Sequence, residues 1–258
     1  MTRKLILLLL SVVLFSGCEK MTEYYFGFNK QPNISYDDFL PGLNVFGVLS
    51  YGPSLDSVNH HFEVQRMMFV RENIDSSEIS DAKIQLVRKT LQNEVFEYTL
   101  DTIDAGIYAN PEIVTAPGDE WSFRCTYDTF SVVSQCVIPN VPVVTSLKIT
   151  NNHNLNVVLA ADTSSYLYYL YLVGNEDVVA SKLIPQRGYV TETALLADWD
   201  LSNSSSVLFI FACDKNLETY YTTSNTFFKP NAFREPYTTV DGGYGTFGAM
   251  SSVLCPVN

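Results

Sequence analysis

Positive charge is scarce in this chain: 16 Lys and Arg stand against 28 Asp and Glu in 258 residues, a formal net charge of −12. Phosphate backbones are bound through basic patches, so a surface this acidic excludes nucleic acid as a partner. Anionic lipid does not attract such a surface either. Histidine is scarcer still, at three residues, and neither a G-x-S-x-G nor an H-E-x-x-H pattern occurs. Hydrolysis by an activated Ser or Cys needs a His base, so the commonest hydrolase designs find no support here. A carboxylate pair needs no fixed sequence spacing, and that hydrolase design stays open as the weakest of three functional readings. No C-x-x-C pair is present, which disfavours zinc ribbons and thioredoxin-type sites, and no cofactor is implied.

Conspicuous signals begin at the N-terminus. Arg3 and Lys4 precede Leu5–Phe15, a run interrupted only by Ser11. That is the length of a signal-peptide apolar region and well short of the roughly 20 residues that span a bilayer. The run ends in Leu14-Phe15-Ser16-Gly17-Cys18, which resembles the lipobox of bacterial lipoproteins. Phe15 departs from it, because a smaller aliphatic residue is commoner there. The resemblance implies that residues 1–17 are a cleaved signal peptide and that Cys18, bearing palmitate-type chains, begins the mature protein. Each buried methylene contributes about 0.8 kcal/mol, and several chains together hold firmly. Loss of Arg3 and Lys4 leaves 14 basic residues against 28 acids, so membrane attachment rests on Cys18 rather than on charge. The implied location is the cell envelope at the outer membrane, with the membrane face left open.

An exported chain meets oxidising conditions in which disulfides are permitted but not required. The remaining cysteines, Cys125, Cys136, Cys213 and Cys255, allow three pairings. Cys125 and Cys136 flank a predicted hairpin, Trp121–Tyr127 with Ser131–Ile138, as candidate cross-strand neighbours. Pairing Cys213 with Cys255 would then staple the C-terminal segment to a central strand.

The 241 residues after the signal suffice for one large domain or two of about 100–120 residues. Residues 18–40 lack periodicity and read as a lipidated tether, although Tyr24, Tyr25, Phe26 and Phe28 make a candidate edge strand. From Leu43 onward, short β-branched and aromatic runs recur every eight to twelve residues, separated by Pro, Gly, Asn and Asp, the spacing of an all-β sandwich. Trp121, Phe123, Cys125 and Tyr127 alternate with Ser122, Arg124, Thr126 and Asp128, the mark of a half-buried strand. Ile138-Pro139-Asn140-Val141-Pro142 signals a boundary, since two prolines cannot sit in a central strand. Seven candidate strands follow: Val143–Thr150, Leu155–Ala161, Tyr166–Val173, Val178–Ile184, Tyr189–Leu195, Val207–Cys213 and Thr219–Ser224. Val207–Cys213 is apolar on both alternating sets, as in a strand covered on both faces. Thr191–Trp199 has room for one or two helical turns. The fold class is therefore all-β, with two tandem β-sandwich modules: one over 41–140, which through the motifs given next resembles immunoglobulin-like and transthyretin-like modules, and one over 141–227, whose strand ordering resembles a fibronectin III-like module. A glycine-rich tail, 228–258, packs on the sandwich.

Several motifs follow one another in order behind the lipobox: Ser80-Asp81-Ala82-Lys83-Ile84, Gly106-Ile107-Tyr108, Ala116-Pro117-Gly118-Asp119-Glu120-Trp121-Ser122-Phe123, Phe233-Arg234-Glu235-Pro236 and Asp241-Gly242-Gly243-Tyr244-Gly245-Thr246-Phe247-Gly248-Ala249. Together they resemble the Bacteroidota lipoprotein family catalogued as domain of unknown function 4249, with Trp121 where Tyr is usual. The resemblance implies an envelope location and a role beside an outer-membrane nutrient receptor or transporter, through protein contacts and without catalysis. It brings no catalytic residues.

Other candidate chemistry reads better as structure. The glycine-rich ending is not followed by a helix and holds no Lys, so it suits close backbone approach better than phosphate binding. His60 and His61, near Asp56 and Glu63, could be metal ligands only if adjacent strand residues shared a face, and they do not. A solvated loop before Phe62–Val70 is the expectation there, and His153 among Asn151, Asn152 and Asn154 reads as a turn. Asp198, Asp200, Ser202 and Asn203 faintly resemble a calcium loop but lack its glycine and terminal Glu. Tyr166, Tyr168, Tyr169, Tyr171, Tyr220 and Tyr221 form the densest aromatic group. Exposed together, the first four would support a second reading, surface capture of a glycan or small ligand; buried, they are core.

Overall fold

The computed structural model describes residues 41–53, 60–67, 77–174, 177–185, 188–198, 200–201, 206–223 and 238–257. The signal peptide, Cys18, the tether and Phe233–Pro236 lie outside these residues, as do Asp56, Ser202 and Asn203. Fourteen strands and one helix are described: β1 Leu43–Tyr51, β2 His60–Arg66, β3 Lys83–Lys89, β4 Val95–Asp104, β5 Ile107–Ala109, β6 Glu120–Tyr127, β7 Phe130–Val137, β8 Val144–Thr150, β9 Asn154–Leu159, β10 Leu167–Gly174, β11 Asp177–Pro185, β12 Thr191–Leu196, β13 Ser206–Cys213, α1 Lys215–Thr223 and β14 Tyr244–Val257. The fold is all-β, as expected.

The first module is an eight-strand sheet ordered β14-β1-β2-β5-β4-β3-β6-β7. It turns over at the β4–β5 pairing, where the register shifts between Thr102 and Asp104. Its two halves close on a common core in which Phe123 of β6 stacks on Phe62 of β2 and on Phe247 of β14. The alternation in β6 holds: Trp121, Phe123 and Cys125 are buried, while Arg124 is exposed. Tyr108 and Asp119 act as fasteners. The Tyr108 hydroxyl donates to the Ile79 carbonyl at 2.6 Å and accepts the Ala82 N–H at 2.9 Å, clamping the approach to β3 inside the core. Asp119 is buried and accepts from Ala116 N and from Arg88 Nε, fixing the turn that leads into β6.

In the second module, the three-stranded sheet β8-β9-β12 covers β11-β10-β13-β14. Leu155, Val157 and Leu159 meet Tyr168, Leu170, Leu208 and Ile210 between the sheets. Three strands on four, with this chain order, is the arrangement of an immunoglobulin-type sandwich of the fibronectin III kind. β13 is the covered central strand that its two apolar sets predict.

The seventh strand of this sandwich is not Thr219–Ser224. Residues 215–223 form α1 instead. Tyr220-Tyr221-Thr222-Thr223 favours strand locally, but Asp214 caps the helix by accepting the Leu217 N–H at 2.9 Å. Glu218 adds an acid to the first turn. Conversely, residues 191–196 are strand rather than helical turns. The C-terminal segment read as a packed tail is β14, a 14-residue strand inside the sheet. Its first part runs parallel to β1, Asn44 opposite Tyr244 through Tyr51 opposite Ser251. Its last part pairs antiparallel with β13, Cys213 opposite Met250 through Ser206 opposite Val257. One strand thus completes both modules and joins them in one compact unit. Pro256 is tolerated because β1 has ended and that stretch of β14 has a single neighbour.

Candidate functional site

β10 distributes its tyrosines between two faces. Tyr168 is fully buried between the sheets, whereas Tyr169 and Tyr171 project from the opposite face. Tyr166 lies before the strand, 44 % exposed, with the Lys215 ammonium 5.6 Å from its ring centre. The four tyrosines therefore do not form one surface. Tyr169 and Tyr171 instead belong to an aromatic layer on the outer face of the shared sheet. Their rings are 4.1 Å apart; Tyr169 meets Tyr221 of α1 edge-on, and Tyr171 meets Phe211 in the same way. Phe209 stacks beside Phe211, and Phe46 of β1 contacts Tyr220. Phe46, Phe209 and Phe211 escape a reading centred on tyrosine, although the second apolar set of Val207–Cys213 announces an occupied outer face. All but Phe211 are half-buried. Burial pushes the Tyr171 and Tyr221 phenols well above their ordinary range, so these two side chains stay uncharged.

α1 lies against this layer because Gly248 lets it approach β14. A Cβ at Gly248 would sit 2.6 Å from Leu217 Cγ and 2.9 Å from Asp214 Oδ1. Asn216 Nδ2 then donates to the carbonyls of Gln135 and Phe247, both at 2.7 Å, tying the helix to the first module. Asp214 is only 5 % exposed, and burial pushes its carboxyl up to about 7 against backbone hydrogen bonds that pull it down. Burial, and secondarily the charge of Asp214, raises the thiols of Cys136 and Cys213; burial pushes Cys125 up to about 12. Such thiols are protonated and poor nucleophiles.

Neither expected disulfide forms, and all four cysteines are free. Cys125 lies opposite Val132 and Cys136 opposite Trp121. They are thus about 13 Å apart along the hairpin, beyond the roughly 7 Å between Cα atoms that a disulfide tolerates. Cys213 lies opposite Met250 and Cys255 opposite Leu208, an odd offset that sends the two side chains to opposite faces.

His60 is not in a solvated loop. It opens β2, is partly buried, and its Nδ1 accepts the Ser50 N–H at 3.3 Å. Burial lowers its pKa, against a backbone hydrogen bond with Ile113 that raises it. His153 sits in the β8–β9 turn, where Asn151 and Asn152 adopt positive φ. Asp200 accepts from Asn152 Nδ2, tying that turn to the chain after β12, while Asp198 is exposed. Among the described residues no three His, Cys, Asp or Glu side chains gather as a metal site would require. From Tyr244 onward the glycine-rich ending is strand, and Gly245, at φ +97, passes so close to the Val45 carbonyl that any side chain there would collide with backbone.

No protein-family model matches this chain, and no curated protein does. Solved structures do. A two-domain fibronectin type III segment of chicken tenascin is similar at 9 % identity, over 84 % of this chain and 98 % of that one, with a TM-score of 0.26. Chicken CNTN1 FN1–FN3 domains are similar at 13 % identity, over 66 % of this chain and 57 % of that one, again with a TM-score of 0.26.

Proposed function

We propose that this chain is an envelope lipoprotein of the family catalogued as domain of unknown function 4249, held at the outer membrane through Cys18. It works through protein contacts, without catalysis, beside an outer-membrane uptake receptor. The lipobox-like Leu14–Cys18 supports the anchor. The observation that carries the contact role is the aromatic layer of Tyr169, Tyr171, Phe209 and Tyr221, half-buried on the outer face of a sheet that both modules share. Aromatic side chains of this kind dominate the energetic centres of protein interfaces.

Two measurements test the reading. Cys18→Ser should move the protein from the membrane fraction to the soluble envelope fraction; retention at the membrane would refute the anchor. A photo-crosslinking amino acid at Tyr171 should capture an outer-membrane protein in intact cells, and the same probe at Leu91, an exposed position remote from the layer, should not. No adduct at Tyr171, or equal capture at both positions, would refute the contact role.

A further inference from the structure

We propose that the outer face of β3-β6-β7 is a binding site for a small neutral saccharide. This goes beyond the protein-contact reading and does not depend on it. The face forms an open groove of about 650 Å³, within the size range of small-molecule sites. Its floor follows from strand register. Gln85, Arg124 and Val133 lie side by side in one row, and Val87, Ser122 and Gln135 in the next. All six point away from the core because their neighbours Leu86, Phe123, Cys125, Val132 and Cys136 point into it. The chain approaching β14 builds the wall. Asp241 exchanges backbone hydrogen bonds with Val133 at 2.8 and 3.0 Å, and the Ser134 hydroxyl donates to the Thr239 carbonyl at 3.0 Å.

The lining is chemically uncommitted. The side chains of Gln85, Ser122, Arg124, Gln135 and Asp241 make no hydrogen bond or ion pair within the described residues. One turn of the sheet away, Arg88 pairs with Asp119 and Lys89 with Glu120. Planar amide, guanidinium and carboxylate groups present donors and acceptors at the spacing of vicinal hydroxyls. Val87 and Val133, at diagonally opposite corners of the floor, each offer a small apolar contact to the C–H face of a sugar ring. The groove holds one cation and one anion, so its own charge cancels, and the surrounding chain is strongly acidic. That balance favours a neutral ligand over a uronate or a phosphate. No exposed aromatic ring lines the floor; Phe123 reaches it only from below and is 2 % exposed. Binding therefore rests on hydrogen bonds, with Kd of about 0.1–1 mM.

The test is titration calorimetry of the purified full-length protein with maltotriose, cellotriose, mannotriose and chitotriose, and with trigalacturonate as the charged probe. Saturable binding of at least one neutral trisaccharide is expected. Arg124→Ala and Gln135→Ala should each weaken it about fivefold or more, and Ser122→Trp, which fills the groove, should abolish it. Arg124 and Gln135 are exposed, so their truncation leaves the core intact, and those two variants decide the matter should Ser122→Trp fail to fold. Leu196→Ala, at an exposed position on β12 of the other module, should bind as the unaltered protein does. The proposal is overturned if no neutral trisaccharide binds, if only trigalacturonate binds, if Arg124→Ala and Gln135→Ala both bind as the unaltered protein does, if folded Ser122→Trp still binds, or if Leu196→Ala loses as much affinity as Arg124→Ala.

Discussion

Replacing Asp214 by Asn should remove a pH-dependent penalty from the joint between the modules. The carboxyl is buried against β14 and caps α1, with a folded-state pKa near 7 against about 3.8 for the unfolded chain. Between those values the folded protein keeps a proton that the unfolded chain has released, so stability falls as pH rises. The contribution is fully present below pH 3.8 and lost above pH 7, and the separation corresponds to on the order of 4 kcal/mol. The groups facing Asp214 do not mask the effect, because burial holds the thiols of Cys136 and Cys213 protonated across this range. The Lys215–Glu218 pair on α1 is common to both proteins and cancels in their difference. Asparagine caps helices as well as aspartate does, so the helix keeps its start. Urea unfolding at pH 4, 6 and 8 should show near-equal stabilities at pH 4 and an advantage for Asp214→Asn that grows to a few kcal/mol by pH 8. A pH-independent difference, or a less stable variant at pH 8, would refute the reasoning.

Three further outcomes follow from the geometry. Tyr108→Phe removes the hydroxyl that satisfies both Ile79 O and Ala82 N in the core, so thermal unfolding should register a loss of about 2 kcal/mol; a change under about 0.5 kcal/mol would be the contrary result. Gly248→Ala pushes Leu217 and Asp214 outward, at about 2 kcal/mol. Amide exchange over α1 should accelerate, and unchanged protection there would contradict the close approach. Thiol titration in denaturant without reductant should find four reactive cysteines besides Cys18, and in the native state Cys255 should react first, since the other three are buried. A count of two, with Cys125–Cys136 or Cys213–Cys255 found bridged, would overturn the register of β6–β7 or of β13–β14, and a count of zero with both bridged would overturn both.

Much of the fold is local enough to read from the chain itself. The two-residue alternation of Trp121–Tyr127 and the doubly apolar Val207–Cys213 depend on which faces a strand buries, and side-chain polarity records that directly. Six of the seven strands expected in 143–224 are present for the same reason. The seventh misleads because Tyr and Thr favour strand only weakly, and a buried Asp cap with a glycine opposite it outweighs them. Hairpin register was equally out of reach: Cys125 and Cys136 flank the right turn, yet a ladder that pairs Trp121 with Cys136 keeps them four residues apart.

The candidate sites divide in the same way. Acidity, the scarcity of histidine and the density of tyrosine are properties of composition. Which tyrosines share a face with phenylalanines from β1 and β13, and which polar residues line one groove, depends on strand neighbours far apart along the chain. The amino-acid sequence by itself determined an all-β chain with two cores, because each core-facing pattern is written in residues one and two positions apart. Only the tertiary structure decided that Tyr244–Val257 completes both modules, since its partners, Leu43–Tyr51 and Ser206–Cys213, lie some two hundred and some forty residues away and no local pattern encodes that pairing.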